Sequence, residues 1–241
     1  MEADAAEAEG QAAAGNRRND GKMEKAKKKI ENFITLLKEI FGSGLVSVIG
    51  YGSIADGKYM HGQSDINLIV VIDNFRAADI IQTRKRLARH ATRNAITPFF
   101  FSPDFLKGSA DVFPMEWREI RENHVIFYGT DLTGNISVDN KNLRLQIERE
   151  LKQNYINFQQ GLVFSRDISA VLEDSCRSLK VIMRSIRDIF PGVTEEPGYA
   201  EKLENLLSGR TRIGKTELTE IAESHLSFMN ELVRRIDRVQ Q

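Results

Sequence analysis

Apolar and polar residues follow two different periods along this chain, and the change from one to the other divides it. The first apolar stripe advances in steps of three and four residues, which places its members on one side of a helix. Gly42-Ser43-Gly44 would end that helix. The members of the stripe are Ile30, Phe33, Ile34, Leu37, Ile40 and Phe41.

Short apolar segments follow this helix and predict a small mixed sheet. Between them, segments of helical period predict a helix with a basic outer face at 75–93 and another helix at 115–123. Pro98 indicates that the third strand lies at the edge of the sheet or ends there. The predicted strands are 45–50, 65–72, 95–101 and 125–128.

After Gly134 only the helical period remains, which predicts a helical bundle. Residues 1–22 contain almost no large apolar side chain, so we expect a disordered tail there. The fold class is therefore α+β, with a mixed-sheet domain at 23–134 and an all-α bundle at 139–241. The predicted helices of the bundle are 143–164, 168–190, 217–239 and a short one near 199–207.

Polar residues interrupt the apolar pattern between the first two strands. Gly52-Ser53 follows the first strand, and Asp65 and Asn67 open the second. Because side chains two residues apart on a strand share a face, Asp65 and Asn67 would stand side by side, across from the backbone N–H groups of the Gly52-Ser53 turn. Glycine lets a phosphate approach the backbone, and Ser53 can donate from its N–H and hydroxyl. This arrangement can hold a metal-bound triphosphate; the alternative is an ordinary turn followed by a polar strand start.

The spacing of Gly-Ser, about a dozen residues, and an acid-hydrophobic-acid strand start resembles the signature of the polymerase-beta-like nucleotidyltransferases. A small sheet followed by helices is also similar to their minimal members, including the aminoglycoside-modifying ones, and this similarity implies that the bundle at 139–241 is the acceptor or partner domain. The resemblance implies two Mg²⁺ ions, with Asp65 and Asn67 as catalytic metal ligands and Gly52 and Ser53 as nucleotide-binding residues. Asn67 stands where the family usually has a second carboxylate, so we expect the second Mg²⁺ to bind weakly.

The resemblance also implies a third carboxylate on a neighbouring strand, which acts as a base and a metal ligand. The corresponding strand, 96–101, contains no acid. Among the acids downstream, Asp111 and Glu116 are favoured because they flank the rigid Phe113-Pro114 turn. The alternative is that these are acids favoured at a helix N-terminus by the helix dipole.

Cations that could meet the triphosphate occur in two places. Lys58 lies in the loop between the motif residues, as does His61, for which an exposed loop position is the simpler interpretation. Arg184 belongs to a basic stripe on the predicted helix 168–190, for which a solvated face is the alternative. The other members of the stripe are Arg177, Lys180 and Arg187.

Two further features are interpreted as structural. Residues 209–216 match the P-loop pattern, but the preceding residues 201–207 have the period of an amphipathic helix where a P-loop needs a buried strand, so we reject that match. Cys176 lies on the apolar stripe of its helix and is expected to pack in the core.

Composition limits the expected partners and location. Lys and Arg total 34 and Asp and Glu total 34, so the balance predicts no general attraction to nucleic acid or anionic membranes. A single cysteine excludes an intrachain disulfide, and no apolar run has the length of a membrane span. The N-terminus does not resemble a signal peptide. We therefore expect a cytoplasmic location, while a homodimer stays open.

These observations lead to two hypotheses about function. The first is a Mg²⁺-dependent nucleotidyltransferase that moves a nucleoside monophosphate from a nucleoside triphosphate to a hydroxyl or phosphate of a small-molecule or protein acceptor. The second is a catalytically impaired protein of the same fold that binds nucleotides or another protein. Asn67 and the missing third acid support the second hypothesis, whereas the intact loop and strand order favour an enzyme.

Overall fold

The structure, a computed structural model, describes residues 2–60, 62, 64–190 and 214–238, with the side chains of residues 2–20 and of Asp188 outside that description. The chain divides into two compact units. The first comprises Met1–Asp111 and Glu116–Val138, and the second comprises Val112–Met115 and Asp139–Gln241. Residues 112–115, which the sequence analysis placed in the first domain, thus group with the second unit.

A mixed sheet forms the centre of the first unit. Its order is β3-β2-β1-β4, with β1 antiparallel to β2 and β4, and β2 parallel to β3. This sheet, followed by a helical unit, confirms the predicted α+β class. Pro98 lies in the edge strand β3, as predicted, where its missing N–H does not interrupt a central ladder. The strands are β1 (Leu45–Tyr51), β2 (Ile66–Ile72), β3 (Ile96–Phe101) and β4 (His124–Gly129).

Helices cover both faces of this sheet. On one face α1 (Glu2–Phe41) and α2 (Ala77–Asn94) form a core with alternate strand residues such as Val48 and Leu68. On the other face α3 (Pro103–Gly108) and α4 (Pro114–Glu122) pack against Ile49 and Ile69. Asn67 has the same strand parity as Ile69 and therefore belongs to the face that α4 covers.

The first helix is longer than the sequence pattern indicated. Its backbone is helical through residues 2–22, for which the sequence predicted a disordered tail. Gly21 and Lys22 are exposed, and among the side chains of α1 that the structure describes, Met23 is the first that packs against the core. The described part of α1 is therefore held to the unit from Met23 onward.

Three described helices build the second unit: α5 (Asn140–Phe164), α6 (Ile168–Ile189) and α7 (Lys215–Arg238). The carboxylates of Asp139 and Asp167 cap α5 and α6 by accepting hydrogen bonds from backbone N–H groups of their first turns. The predicted apolar stripe is buried along α6 and at the residue that follows it; its members are Leu172, Cys176, Leu179, Met183, Ile186 and Phe190.

The structure leaves two of the sequence predictions untested and bears on the question of membrane-spanning helices. The predicted short helix near 199–207 and most of the P-loop match lie outside the described residues. Among the described helices, none combines the length and the apolarity required to cross a membrane.

A buried polar network joins the three helices of the second unit. The Ser175 hydroxyl donates to Asn154 Oδ1 at 2.8 Å and lies 2.8 Å from His225 Nε2. Cys176 Sγ lies 3.5 Å from His225 Nδ1. Burial raises the pKa of the Cys176 thiol to about 12, so it stays protonated and serves packing, as expected.

Candidate functional site

The motif loop begins where β1 ends. Gly52 has φ +67°, a conformation that glycine adopts without steric cost, and it starts a 3₁₀ turn at Gly52–Ile54. The Gly52 carbonyl accepts hydrogen bonds from the backbone N–H groups of Ala55 at 2.9 Å and Asp56 at 3.0 Å. These bonds hold the Gly52-Ser53 turn in a fixed conformation at the end of the strand.

The same geometry brings Asn67 to the turn. Tyr51 and Asn67 are register partners of the antiparallel pair β1–β2. A Cβ placed on Gly52 would lie 3.5 Å from Asn67 Nδ2, so the side-chain amide reaches the backbone of the turn. Asp65 is exposed one residue before β2 begins, and Asn67 is half-buried. The predicted grouping of Gly52, Asn67 and Asp65 at one end of the sheet is therefore present in the backbone register.

Tyr59 anchors the middle of the loop. Its side chain is 1% exposed and belongs to the core beneath α1, yet its hydroxyl forms no hydrogen bond within the described part of the chain. Burial and the nearby Asp65 carboxylate raise the pKa of Tyr59. Asp65 is thus close enough to the buried phenol to influence it electrostatically, a relation that the sequence did not reveal.

Glu119 supplies an acid beside the end of β1 that the sequence analysis missed. Trp117 and Ile120 bury one side of α4 against the sheet, and Glu119 is exposed between them. Burial and the charge of Glu119 raise the pKa of Tyr51 to about 12. Since Tyr51 is the register partner of Asn67, the Glu119 carboxylate acts on the end of β1 at which the motif lies. Glu116 lies one helical turn earlier on the same side of α4.

Side-chain contacts fix the neighbouring end of β4. His124 pairs with Tyr51 across β1–β4, its Nδ1 lies 2.9 Å from the Ile120 carbonyl, and its Nε2 lies 3.3 Å from Asp131 Oδ2. Burial acts to raise the pKa of Asp131, but hydrogen bonds from Thr133 and Gly134 and the nearby His124 outweigh it and lower that pKa. These contacts connect β4 to the end of α4, the helix that carries Glu119.

The other predicted site residues have varied surroundings. Lys58 Nζ lies 3.9 Å from Asp56 Oδ2 within the loop, and its side chain is 80% exposed. Asp111 is exposed in the turn after α3, and Glu116 is exposed in the first turn of α4. Arg184 is exposed on α6, in the second unit. His61 lies outside the described residues. The roles proposed for these residues stay predictions.

The donor set can be compared with the needs of Mg²⁺. In the described part of the chain, no three side chains of the Asp, Glu, His and Cys types are grouped so that they could hold a metal ion. Asp65 and Asn67 offer hard oxygen atoms, and Mg²⁺ commonly takes one or two protein oxygens together with substrate phosphates. The residues therefore fit one Mg²⁺ carried on a triphosphate and do not form a protein cage for two.

A cavity elsewhere in the first unit is separate from this site. It has a volume of about 550 Å³ and lies at the opposite ends of β2 and β3. Its walls include Asp73, Phe75, Phe101, Asp104 and Phe105. Because the motif lies where β1 ends and β2 begins, this cavity is at the other end of the sheet.

Comparison with solved structures agrees with this architecture. The fold is similar to that of spectinomycin adenyltransferase AAD(9) from Enterococcus faecialis, solved with ATP and spectinomycin, with a TM-score of 0.54 and 11% sequence identity. The match covers 87% of this chain and 98% of that one. The chain has a nucleotidyltransferase-like fold. No family model and no curated protein sequence matches it. At this identity the similarity concerns the fold alone.

Proposed function

We propose that this protein binds a Mg²⁺-nucleoside triphosphate at Gly52, Ser53, Asp65 and Asn67 and transfers the nucleoside monophosphate to an acceptor hydroxyl. The observation that carries the proposal is the position of the Asn67 side-chain amide beside the left-handed Gly52 turn: its Nδ2 would lie 3.5 Å from a Cβ placed on Gly52. A turn of this kind suits phosphate binding, because Gly52 has no side chain to keep a phosphate away from the backbone and the oxygen ligands Asp65 and Asn67 are proposed beside it.

The reaction would form a bond between the acceptor oxygen and the α-phosphorus and break the bond to pyrophosphate. The main obstacle is accumulated negative charge, so positioning and electrostatic stabilisation dominate. Mg²⁺ would supply charge neutralisation on the triphosphate. The Ser53 N–H and hydroxyl would orient phosphate oxygens, while Asp65 and Asn67 would hold the metal-bound phosphates against the turn.

The acceptor hydroxyl must lose a proton during the transfer. We assign its removal to Glu119, because its carboxylate already acts electrostatically on Tyr51 at the end of β1. Asp111 and Glu116 are the alternatives. A glutamate on a helix packed over the sheet can replace the strand carboxylate expected from the family resemblance, provided that it reaches the acceptor.

A protein that binds nucleotides without turnover is the second candidate. The observation favouring it is that the described residues contain no group of three acids, histidines or cysteines able to hold a metal ion. A site with one carboxylate and one amide can bind a Mg²⁺-nucleotide while lacking the two-metal clamp that accelerates transfer.

The binding proposal is tested by calorimetric titration with a non-hydrolysable ATP analogue and Mg²⁺. We expect Asp65→Ala to weaken binding by at least thirtyfold, because Asp65 is the charged one of the two proposed metal ligands. Asp56→Ala is the matched control, since Asp56 is an acid of the same loop that pairs with Lys58. It should change affinity less than twofold. Equal affinities for wild type and Asp65→Ala would refute the site.

Turnover separates the two candidates. The similar structure contains ATP and spectinomycin, so α-labelled ATP with a panel of small aminocyclitol and sugar acceptors is the first choice. For an enzyme we expect Asn67→Asp to raise label transfer, because it restores a negative ligand, and Glu119→Gln to lower it by about 10²-fold or more with little change in ATP affinity. Background transfer in wild type and Asn67→Asp, with ATP binding intact, would support the nucleotide-binding module.

A further inference from the structure

Positive charge is concentrated on two helices of the first unit, although the whole chain is balanced. Residues 21–41 of α1 and 77–94 of α2 together contain eleven Lys and Arg residues but four Asp and Glu residues. The whole chain has 34 of each kind. The chain-wide balance, from which the sequence analysis expected no nucleic-acid partner, therefore conceals a strongly basic region.

Contacts between α1 and α2 show how these charges are arranged. The helices run antiparallel, because Lys29 Nζ donates to the Asn94 carbonyl at 3.2 Å near one end, and Arg86 pairs with Glu39 at 2.6 Å towards the other. Five exposed cations lie near the Lys29–Asn94 contact, on adjacent sides of α1 and α2 as judged by helical spacing. This basic surface consists of Lys22, Lys25, Lys28, Arg89 and Arg93.

None of the five cations of the basic surface has an ion-pair partner among the residues that the structure describes. Elsewhere on the described helices, Arg177 pairs one turn away with Glu173 at 3.1 Å, and the half-buried Arg235 pairs one turn away with Glu231 at 3.0 Å. Like charges held together on neighbouring helices repel one another, and an external polyanion would relieve that repulsion.

We propose that the basic surface binds the phosphate backbone of a nucleic-acid strand. The helix rises about 9 Å from Lys22 to Lys28, at 1.5 Å per residue. Successive phosphates of one strand are about 3.4 Å apart along the axis, so this length matches about three phosphates. Arg89 and Arg93 add guanidinium groups, which bind phosphate in a bidentate manner. The surface carries no stacking aromatic ring, so the binding depends on charge and is independent of base sequence.

The burial of apolar residues favours nucleic acid over a membrane. Membrane-surface helices present apolar side chains beside their basic ones. Here Ile30, Phe33, Leu37 and Leu87 are buried against the sheet. Ile81 is the exposed large apolar residue of α2, about 12 Å along the helix from Arg89 at 1.5 Å per residue. The surface therefore lacks an apolar wedge beside its charges.

The basic surface and Asn67 lie on opposite faces of the sheet but at the same end of it, because the backbone N–H of Ile66, next to Asp65, donates to the carbonyl of Ala95, two residues after Arg93, at 2.7 Å. α1 and α2 cover one face of the sheet, whereas Asn67 belongs to the face covered by α4. Asp65→Ala removes a negative charge from this end of the sheet, so it should weaken ATP binding but not nucleic-acid binding, and the two proposals can fail independently.

The test is fluorescence anisotropy of the full chain with labelled 20-nucleotide RNA and DNA between 50 and 200 mM salt. Five phosphate contacts to a single strand predict a fall in affinity of about a hundredfold over this range, at a slope of about 0.7 per contact. Lys25→Glu/Arg93→Glu should weaken binding at least tenfold at 50 mM salt. The neutral pair Lys25→Gln/Arg93→Gln should lower the salt slope by about 1.4.

The matched control is Lys27→Glu/Arg84→Glu, which makes the same charge change on the same helices but, by helical spacing, on the sides away from the basic surface. It should alter affinity less than threefold, and circular dichroism should show all variants folded. Equal weakening by both reversed pairs would overturn the proposal. So would the absence of RNA and DNA binding, including the outcome in which only phosphatidylserine vesicles are bound.

Discussion

At the scale of single residues, two glycines of the motif loop have the same backbone conformation in different surroundings. Comparing substitutions at these two positions distinguishes the effect of backbone strain from an effect on phosphate binding. Gly52 has φ +67° and adjoins Asn67, whereas Gly57 has φ +68° and no atom of the described residues lies within 4 Å of its Cβ position. Alanine at either position forces a left-handed residue, which costs about 1–2 kcal/mol. The pair therefore shares its strain and differs in what surrounds it.

We expect Gly52→Ala and Gly57→Ala to lower the free energy of unfolding by similar amounts in urea titrations. Only Gly52→Ala should weaken ATP binding, by tenfold or more, because its methyl group occupies the space between the turn and Asn67. Calorimetry on both variants checks this. A similar loss of affinity in Gly57→Ala would show that loop strain, and not the position of Gly52, controls binding.

At the scale of the elements, the close approach of α5 and α6 depends on a glycine between them. A Cβ on Gly161 of α5 would lie 2.4 Å from Val171 Cγ1 of α6, far inside normal contact. Glycine at 161 thus sets how closely the two helices approach, and alanine there has no room unless Val171 yields.

Gly161→Ala should destabilise the protein by about 1–3 kcal/mol, the usual cost of overpacking. The double variant Gly161→Ala/Val171→Ala should recover part of that loss, because removing the valine methyl groups makes space. Chemical denaturation of the wild type, both single variants and the double variant gives the coupling energy. Additive losses would contradict the close approach.

His225 gives the second unit a pH dependence. Burial lowers the pKa of His225 to about 4, against an ordinary value of 6.5. The unfolded chain therefore binds a proton more readily than the folded chain between these values. The contribution of neutral His225 to the free energy of unfolding is fully present above pH 6.5 and is lost as the pH falls towards 4.

We expect the free energy of unfolding to drop by roughly 3 kcal/mol from this residue between pH 7 and pH 4, at 1.36 kcal/mol per pKa unit. His225→Gln, which keeps a polar side chain without a titration, should be less stable at pH 7 and should show a smaller loss on acidification. Urea titrations at several pH values test this. Parallel pH profiles for the two proteins would exclude His225 as the source.

At the scale of the whole molecule, the chain enters the second unit twice, first at residues 112–115 and then from Asp139 onward. The backbone N–H of Met115 donates to the side chain of Gln146 at 2.9 Å in a buried position. This hydrogen bond holds the short excursion, which ends in the first turn of α4, against α5.

Gln146→Leu should cost about 1–3 kcal/mol, since it leaves the buried Met115 N–H without its acceptor. Gln146→Glu retains an acceptor oxygen and should lose less at pH 7. Thermal and urea denaturation compare the two. If leucine proves as stable as glutamine, the hydrogen bond does not hold this excursion.

The sequence by itself determined the elements and their order, because these depend on local periods and turn residues. The buried stripe on α6, the edge position of Pro98 and the strand–turn–strand spacing of Gly52, Asp65 and Asn67 were all readable in this way. The helical backbone of residues 2–22 was not, since low apolar content indicates only that a segment lacks a core of its own.

Tertiary structure decided which distant residues meet. Glu119 acts on Tyr51 through packing that no sequence spacing encodes. The same holds for the basic surface, because a net charge sums over the chain and carries no information about where the charges lie. Contacts across long sequence separations depend on how helices dock on the sheet. That docking is set by many small packing contributions acting together, so it becomes visible only in three dimensions.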